Sequence, residues 1–146
     1  MSLNEWLAEG WLTRHRPDKR EISELLGIAE RAITDAGIKE ISPDARLSIA
    51  HNAALQLATA ALAATGYRAG HEAYHFRTLR SLTFTIEAET DIIDQLDVFR
   101  KKRNISDYER AGAISNREAE EMLALAKTLR EAVISWLKSH HPQLLP

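Results

Sequence analysis

The residues whose types and spacing could do chemistry stand in the stretch Leu96–Tyr108, LDVFRKKRNISDY. On a helix advancing about 100° per residue, Ile92, Leu96 and Phe99 fall within one narrow arc, and Arg103 falls in the same arc. An arginine thus occupies the place of the next core residue. Asp97, Arg100 and Asn104 form a second row at spacings of three and four. Tyr108 follows five residues after Arg103, where the pattern expects a loop. A guanidinium turned inward at a helix end, with an amide beside it and a phenol nearby, marks the functional candidate. A structural ion pair of Arg103 with Asp97 or Asp107 fits the same pattern, and the two readings stay open at this point.

Two further groups draw attention. His51 and Asn52 are the polar exceptions in the run Ala45–Ala64, which is apolar on nearly every face. They read either as a hydrogen-bonded buried pair that fixes packing or as a catalytic pair. His71, Glu72, Tyr74, His75, Arg77 and Arg80 crowd one short helical segment. His71 and His75, four apart, could place two imidazoles on one helix face. No third ligand is evident and Glu72 does not complete an HExxH pattern, so no metal and no cofactor are expected. His75 and Arg77 remain candidates for binding.

Elements must position these groups, and composition bounds what they can be. A chain of 146 residues with 45% hydrophobic and 27% charged residues suits one domain, residues 1–146, with a substantial core. A formal net charge of -2 gives no global electrostatic case for nucleic acid, so such binding would need a local patch. The absence of cysteine excludes disulfides and thiolate metal sites. No apolar run is expected to span a membrane, the acidic N-terminus is unlike a signal peptide, and a cytoplasmic location is expected.

Helix starts are marked by capping-box spacing at Ser2/Glu5, Asp18/Glu21 and Ser115/Glu118, and by Ser42-Pro43-Asp44. Gly37 and Thr65-Gly66 mark helix ends. Thr13–Pro17 and Tyr67–Glu72 read as connectors, and Thr83–Ile86 as a β-branched interruption that could hold a short strand. Glu87–Arg103 reads as a long helix, Arg110–Ile114 as a connector. The last helix carries Ala119, Met122, Ala126, Leu129, Val133 and Trp136 inward, and the residues after His141 should be ragged. Trp6 and Trp11 need a surface to dock on. The expected architecture is all-α, an antiparallel bundle of four to five helices.

Two stretches resemble the HEPN (higher eukaryotes and prokaryotes nucleotide-binding) superfamily. Ala50–Tyr67, AHNAALQLATAALAATGY, is similar to the alanine-rich helix of many bacterial members. LDVFRKKRNISDY is similar to the family's helix-end motif of Arg, often a polar residue, and a His four to six residues on. The resemblance implies a HEPN-like bundle that dimerises and brings two motifs to one cleft. It implies RNA or a nucleotide as ligand and, for toxin members, an antitoxin-like partner. By position, Arg103 matches the motif arginine, Asn104 the polar residue, and Tyr108 stands in place of the histidine. Metal-free RNA cleavage needs a group that exchanges protons near neutral pH, and free tyrosine titrates near about 10. Three functions follow: an RNA- or nucleotide-binding domain without strong catalysis, a metal-independent endoribonuclease in which Tyr108 or His75 handles protons, and a dimeric protein-interaction module.

Overall fold

Ser42 and Pro43 start the helix on which the others pack. The Ser42 hydroxyl accepts from the Ala45 N–H at 3.3 Å, Pro43 takes the first helical position, and Gly66 ends the helix at a φ of 100°, a left-handed conformation glycine adopts freely. A computed structural model describes residues 1–108 and 112–146, apart from the side chains of residues 106–108. In it this helix, α3 (Pro43–Thr65), buries Ala50, Ala53, Ala54, Leu57, Ala58, Ala60 and Ala61 completely. By length and composition α3 could cross a membrane, contrary to the sequence expectation, but 72% of its apolar window is covered by its neighbours.

Alanine side chains let those neighbours come close. From one side α2 (Lys19–Ala36) brings Ile22, Ala29, Ile33 and Ala36. From another, α6 (Asn116–His140) brings Met122, Ala126, Leu129 and Val133. The third covering helix is α5 (Thr90–Tyr108), which buries Ile93, Leu96 and Phe99. The inward stripe of α5 thus uses Ile93, with Ile92 only half-buried. On α6, Leu137 is buried where the stripe was expected to place Trp136, which is half-buried.

Helix directions follow from contacts at the ends. The Ala36 carbonyl accepts from Arg46 Nε at 2.8 Å, so α2 ends where α3 begins. Ser48 meets Arg103 and His51 meets Leu96, so α5 runs antiparallel to α3. Arg46 pairs with Glu120 at 2.6 Å, and Asp44 accepts from the Gly112 and Ile114 N–H groups at 2.6 and 3.2 Å. These contacts hold the starts of α3 and α6 together, so that pair is parallel within an otherwise antiparallel all-α bundle. Asp44 therefore clamps the segment ahead of α6 in addition to standing in the first turn of α3.

The N-terminal segment departs from expectation. After α1 (Leu3–Ala8), capped by Ser2 at 3.2 Å, Leu12–Arg14 forms strand β1 and pairs antiparallel with β2 (Tyr67–Ala69), Leu12 opposite Ala69. The sequence reads Thr13–Arg14 and Tyr67–Ala69 as parts of connectors and Trp11 and Leu12 as the apolar side of the first helix, which ends instead at Ala8. Trp6 is buried edge-on against Trp11 at 5.8 Å and Phe84 at 5.2 Å, and the Arg77 guanidinium lies 4.3 Å over the Trp11 ring. The surface these tryptophans needed belongs to their own chain.

Helix α4 (Tyr74–Arg80) runs into a 3₁₀ turn, Ser81–Thr83, in place of a strand. Glu87 stands at a φ of 55°, so α5 starts three residues later than expected, and it continues past Arg103 to Tyr108. The connector expected over Arg110–Ile114 lies partly outside the described residues. After α6, the 3₁₀ turn Pro142–Leu144 buries Leu144 in the core, so this end is packed and not ragged.

Ser115 caps α6 with both bonds of a capping box: its hydroxyl accepts from the Glu118 N–H at 3.1 Å, and the Glu118 carboxylate accepts from the Ser115 N–H at 3.0 Å. Ser115→Ala is expected to lower stability by about 1 kcal/mol. The check is a lower urea midpoint with an unchanged denaturant slope.

Candidate functional site

The N-terminal half of α3 carries its charged side chains and its histidine, and its C-terminal half only the neutral Gln56, Thr59 and Thr65 as polar groups, which decides where a site can form. Arg46, Ser48, His51 and Asn52 lie within two turns, and α2 and α5 flank them. Between the three helices opens a cleft of about 430 Å³, lined by Arg31, Asp35, Ser48, Asn52 and Arg103 together with Ile28, Ala32 and Ile49.

Arg103 is half-buried, as are Arg100 and Lys102, and so does not stand apart from them as the arc of Ile92, Leu96 and Phe99 suggested. Its Nε donates to Ser48 Oγ at 3.1 Å. The anchor lies across the bundle on α3, and the Asp97 pair offered by the sequence does not form. Asp97 is engaged by Arg100 at 2.8 Å and Lys101 at 3.3 Å. Burial alone would raise the Asp97 carboxyl; the bonds and charges of Arg100 and Lys101 overcome this and hold it below its ordinary value. The Asp107 and Tyr108 side chains lie outside the described residues. Asn104 is exposed on α5.

Asn52 is half-buried and accepts on Oδ1 from Gln56 Nε2 at 3.3 Å, which leaves its amide nitrogen to donate elsewhere. His51 is completely buried and bonds the Leu96 carbonyl through Nε2 at 3.3 Å, so the two side chains do not form the buried pair the sequence allowed. Nδ1 of His51 has no partner among the described residues. Because Nε2 donates to a carbonyl, Nδ1 is the acceptor nitrogen of a neutral ring. Burial drives the His51 pKa from 6.5 down to about 4; the Leu96 carbonyl opposes this, while the charges of Arg103, His75 and Arg100 reinforce it.

His75 on α4 belongs to the same cluster. Its pKa is lowered first by burial and then by the charges of Arg103 and Arg100. Phe76 receives the guanidinium of Arg80 at 5.2 Å and that of Arg100 at 5.4 Å, which ties α4 to α5. Arg77 turns the other way, onto Trp11, and is not part of the group. His71 precedes α4 in an exposed bend, so His71 and His75 do not share a helix face. Among the described residues no three His, Asp or Glu side chains come together as a metal site would need.

The structure therefore unites Arg103, Arg100, Asp97, His75, His51 and Asn52 around the α3–α5 contact, and leaves Arg77 outside. It adds Ser48, Arg31 and Asp35. Ser48 stands four residues before Asn52, a spacing that places both on one face of α3 and could have been read. Arg31 and Asp35 face this cleft only because of how α2 packs, which no local pattern encodes. No family model matches the sequence, and no curated protein matches it.

The neutral, buried His51 has a stability consequence. Its folded pKa lies below its unfolded value, so the unfolded chain binds the extra proton first as pH falls. The stabilisation is complete above about pH 6.5 and is lost as pH drops toward about 4, by up to about 3 kcal/mol. Urea titrations between pH 7 and pH 4 should show this loss, and His51→Leu should flatten that part of the profile.

Proposed function

We propose that this chain is a HEPN-like domain that binds RNA or a nucleotide, with Arg103 holding a phosphate. The observation that carries this reading is the gathering of Arg103, Arg31, Asn52 and Ser48 in one solvent-reached cleft. Guanidinium groups offer rigid donor forks to phosphate oxygens, and an amide nitrogen beside them adds a neutral donor. Ser48 fixes the attitude of Arg103, so its fork is oriented before a ligand arrives. The overall charge of -2 is no obstacle, because Asp97 is engaged by Arg100 and Lys101 and Glu118 by Lys102, while the Asp35 carboxylate in the cleft stands beside two guanidinium groups, Arg31 and Arg103.

One observation favours the endoribonuclease as a second reading. His75 lies within electrostatic reach of Arg103, and its lowered pKa keeps it in the base form at neutral pH. A neutral imidazole beside a phosphate-holding arginine could take the proton of a ribose 2′-hydroxyl. A guanidinium would meanwhile stabilise charge developing on phosphorus-bound oxygen.

Single-stranded RNA binding, measured in EDTA over a series of salt concentrations, tests both readings. Arg103→Ala is expected to weaken binding about tenfold or more and to flatten the plot of log K against log salt by about 0.7. Its melting temperature should stay within a few degrees of wild type. Equal binding by wild type and variant would remove the reading. Cleavage in EDTA that His75→Ala abolishes, with binding retained, would decide for the enzyme.

A further inference from the structure

The α2 wall of the cleft holds two charges that the fold itself does not use. Arg31 and Asp35 are exposed, one turn apart on the same helix, and both line the cleft. Elsewhere in this chain such i,i+4 pairs close: Arg20 meets Glu24 at 3.1 Å and Arg117 meets Glu121 at 3.0 Å. Among the described residues, no hydrogen bond or ion pair engages the side chain of Arg31 or that of Asp35. Asp35 also stands in the last turn of α2, next to Ala36, where the helix dipole disfavours a carboxylate. A carboxylate so placed is available to a ligand that brings its own N–H groups.

Between this wall and Arg103 the floor is apolar. Ile28 of α2 and Ile49 of α3 are half-buried and line the groove. Aliphatic floor, carboxylate at one side and guanidinium groups at hand match the three parts of a nucleotide, and a volume of about 430 Å³ suits a single one.

The carboxylate narrows the base. Two adjacent oxygens accept best from two adjacent N–H donors. Guanine presents such a pair on its Watson–Crick edge, the ring N1–H and the exocyclic amine. Adenine and cytosine present one amine beside a ring acceptor, and uracil one N–H between two acceptors. Each of those sets a lone pair against the carboxylate.

We infer that Asp35 selects a guanine base in this cleft, with Arg31 and Arg103 on its phosphate; this rests on the nucleotide-binding reading above. The ligand chemistry is a guanosine phosphate, free or within single-stranded RNA.

The test is chemical-shift titration of the ¹⁵N-labelled full chain. The probes are 5′-GMP and 5′-AMP, and the RNA pentamers UUGUU and UUAUU. The guanine member of a pair should bind about tenfold more tightly. Asp35→Ala should bring it down to the adenine value, while Arg31→Ala weakens both members alike. A preference seen with the pentamers alone assigns the site to RNA, and one equal in both pairs to the nucleotide itself. Equal affinity for guanine and adenine in wild type, or a preference that survives Asp35→Ala, overturns the inference and leaves the binding reading standing. No shifts at Arg31, Asn52 or Arg103 with any probe at millimolar concentration would sink both.

Discussion

The close approach that α3 allows is the constraint on which the rest depends. A helix covered from three directions needs side chains that occupy little depth, and its run of alanines supplies that. Methyl groups give each neighbour only modest apolar area, so the contact depends on length and density of packing more than on large side chains. A larger residue at Ala54 or Ala58 would press on a neighbouring helix, because both positions are completely buried. With the exception of His51, which is buried against α5, the polar groups of the N-terminal half of α3 stand where the neighbouring helices part. Those places are the start of the helix, where Arg46 reaches the Ala36 carbonyl and Glu120, and the gap between α2 and α5, where Ser48 and Asn52 meet Arg103.

Arg46 and Arg103 show two uses of a guanidinium on one framework. Arg46 is buried and its charge is met by Glu120, whose carboxyl is held low first by that bond. It joins three helices at one end of the bundle, and removing its acceptors would strand a charge that cannot be shed. Arg103 is half-buried, anchored to Ser48 and turned to a cleft that water reaches. The first arrangement is structural because the surroundings are closed. The second leaves room for chemistry because the cleft is open.

Legibility followed range along the chain. Ser2, Asp18, Ser42 and Ser115 cap their helices as their spacing indicated, because a cap bonds an N–H only three residues away. The all-α class was equally plain from periodicity. The β1–β2 pair was not, since three-residue strands carry no usable alternation and their partners lie more than fifty residues apart. The end of α5 was misplaced because the basic run and the polar residues after Arg103 resemble a stop signal, yet nothing in them forbids helix. The arc shared with Leu96 and Phe99 leaves Arg103 half-buried, no more set apart than Arg100 or Lys102, and the Ser48 hydroxyl it reaches on α3 could not be read from α5 alone. The Asp97 alternative failed because Arg100, three residues on, reaches that carboxylate along the same helix. Arg31 and Asp35 carried no signal at all, since a charged pair on an exposed helix face reads as a solvated surface.

The histidines bear most on what the cleft can do. His51 is held neutral by burial and by cations, and its unpartnered nitrogen is an acceptor sealed within the protein. It cannot reach a substrate, but it keeps one more positive charge out of a region that already holds Arg100 and Arg103. His75 is less enclosed, and its pKa is lowered first by burial and then by the charges of the same arginines. Guanidinium groups fixed in this way would favour an anion, and together with burial they keep the nearby imidazoles neutral. An arriving phosphate would partly cancel the arginine charges and so raise the pKa of His75. Phosphate binding of the kind proposed for this cleft would therefore be coupled to proton uptake at His75. The sign of that coupling would be set by the charges of Arg103 and Arg100, which oppose protonation of His75 until an anion offsets them.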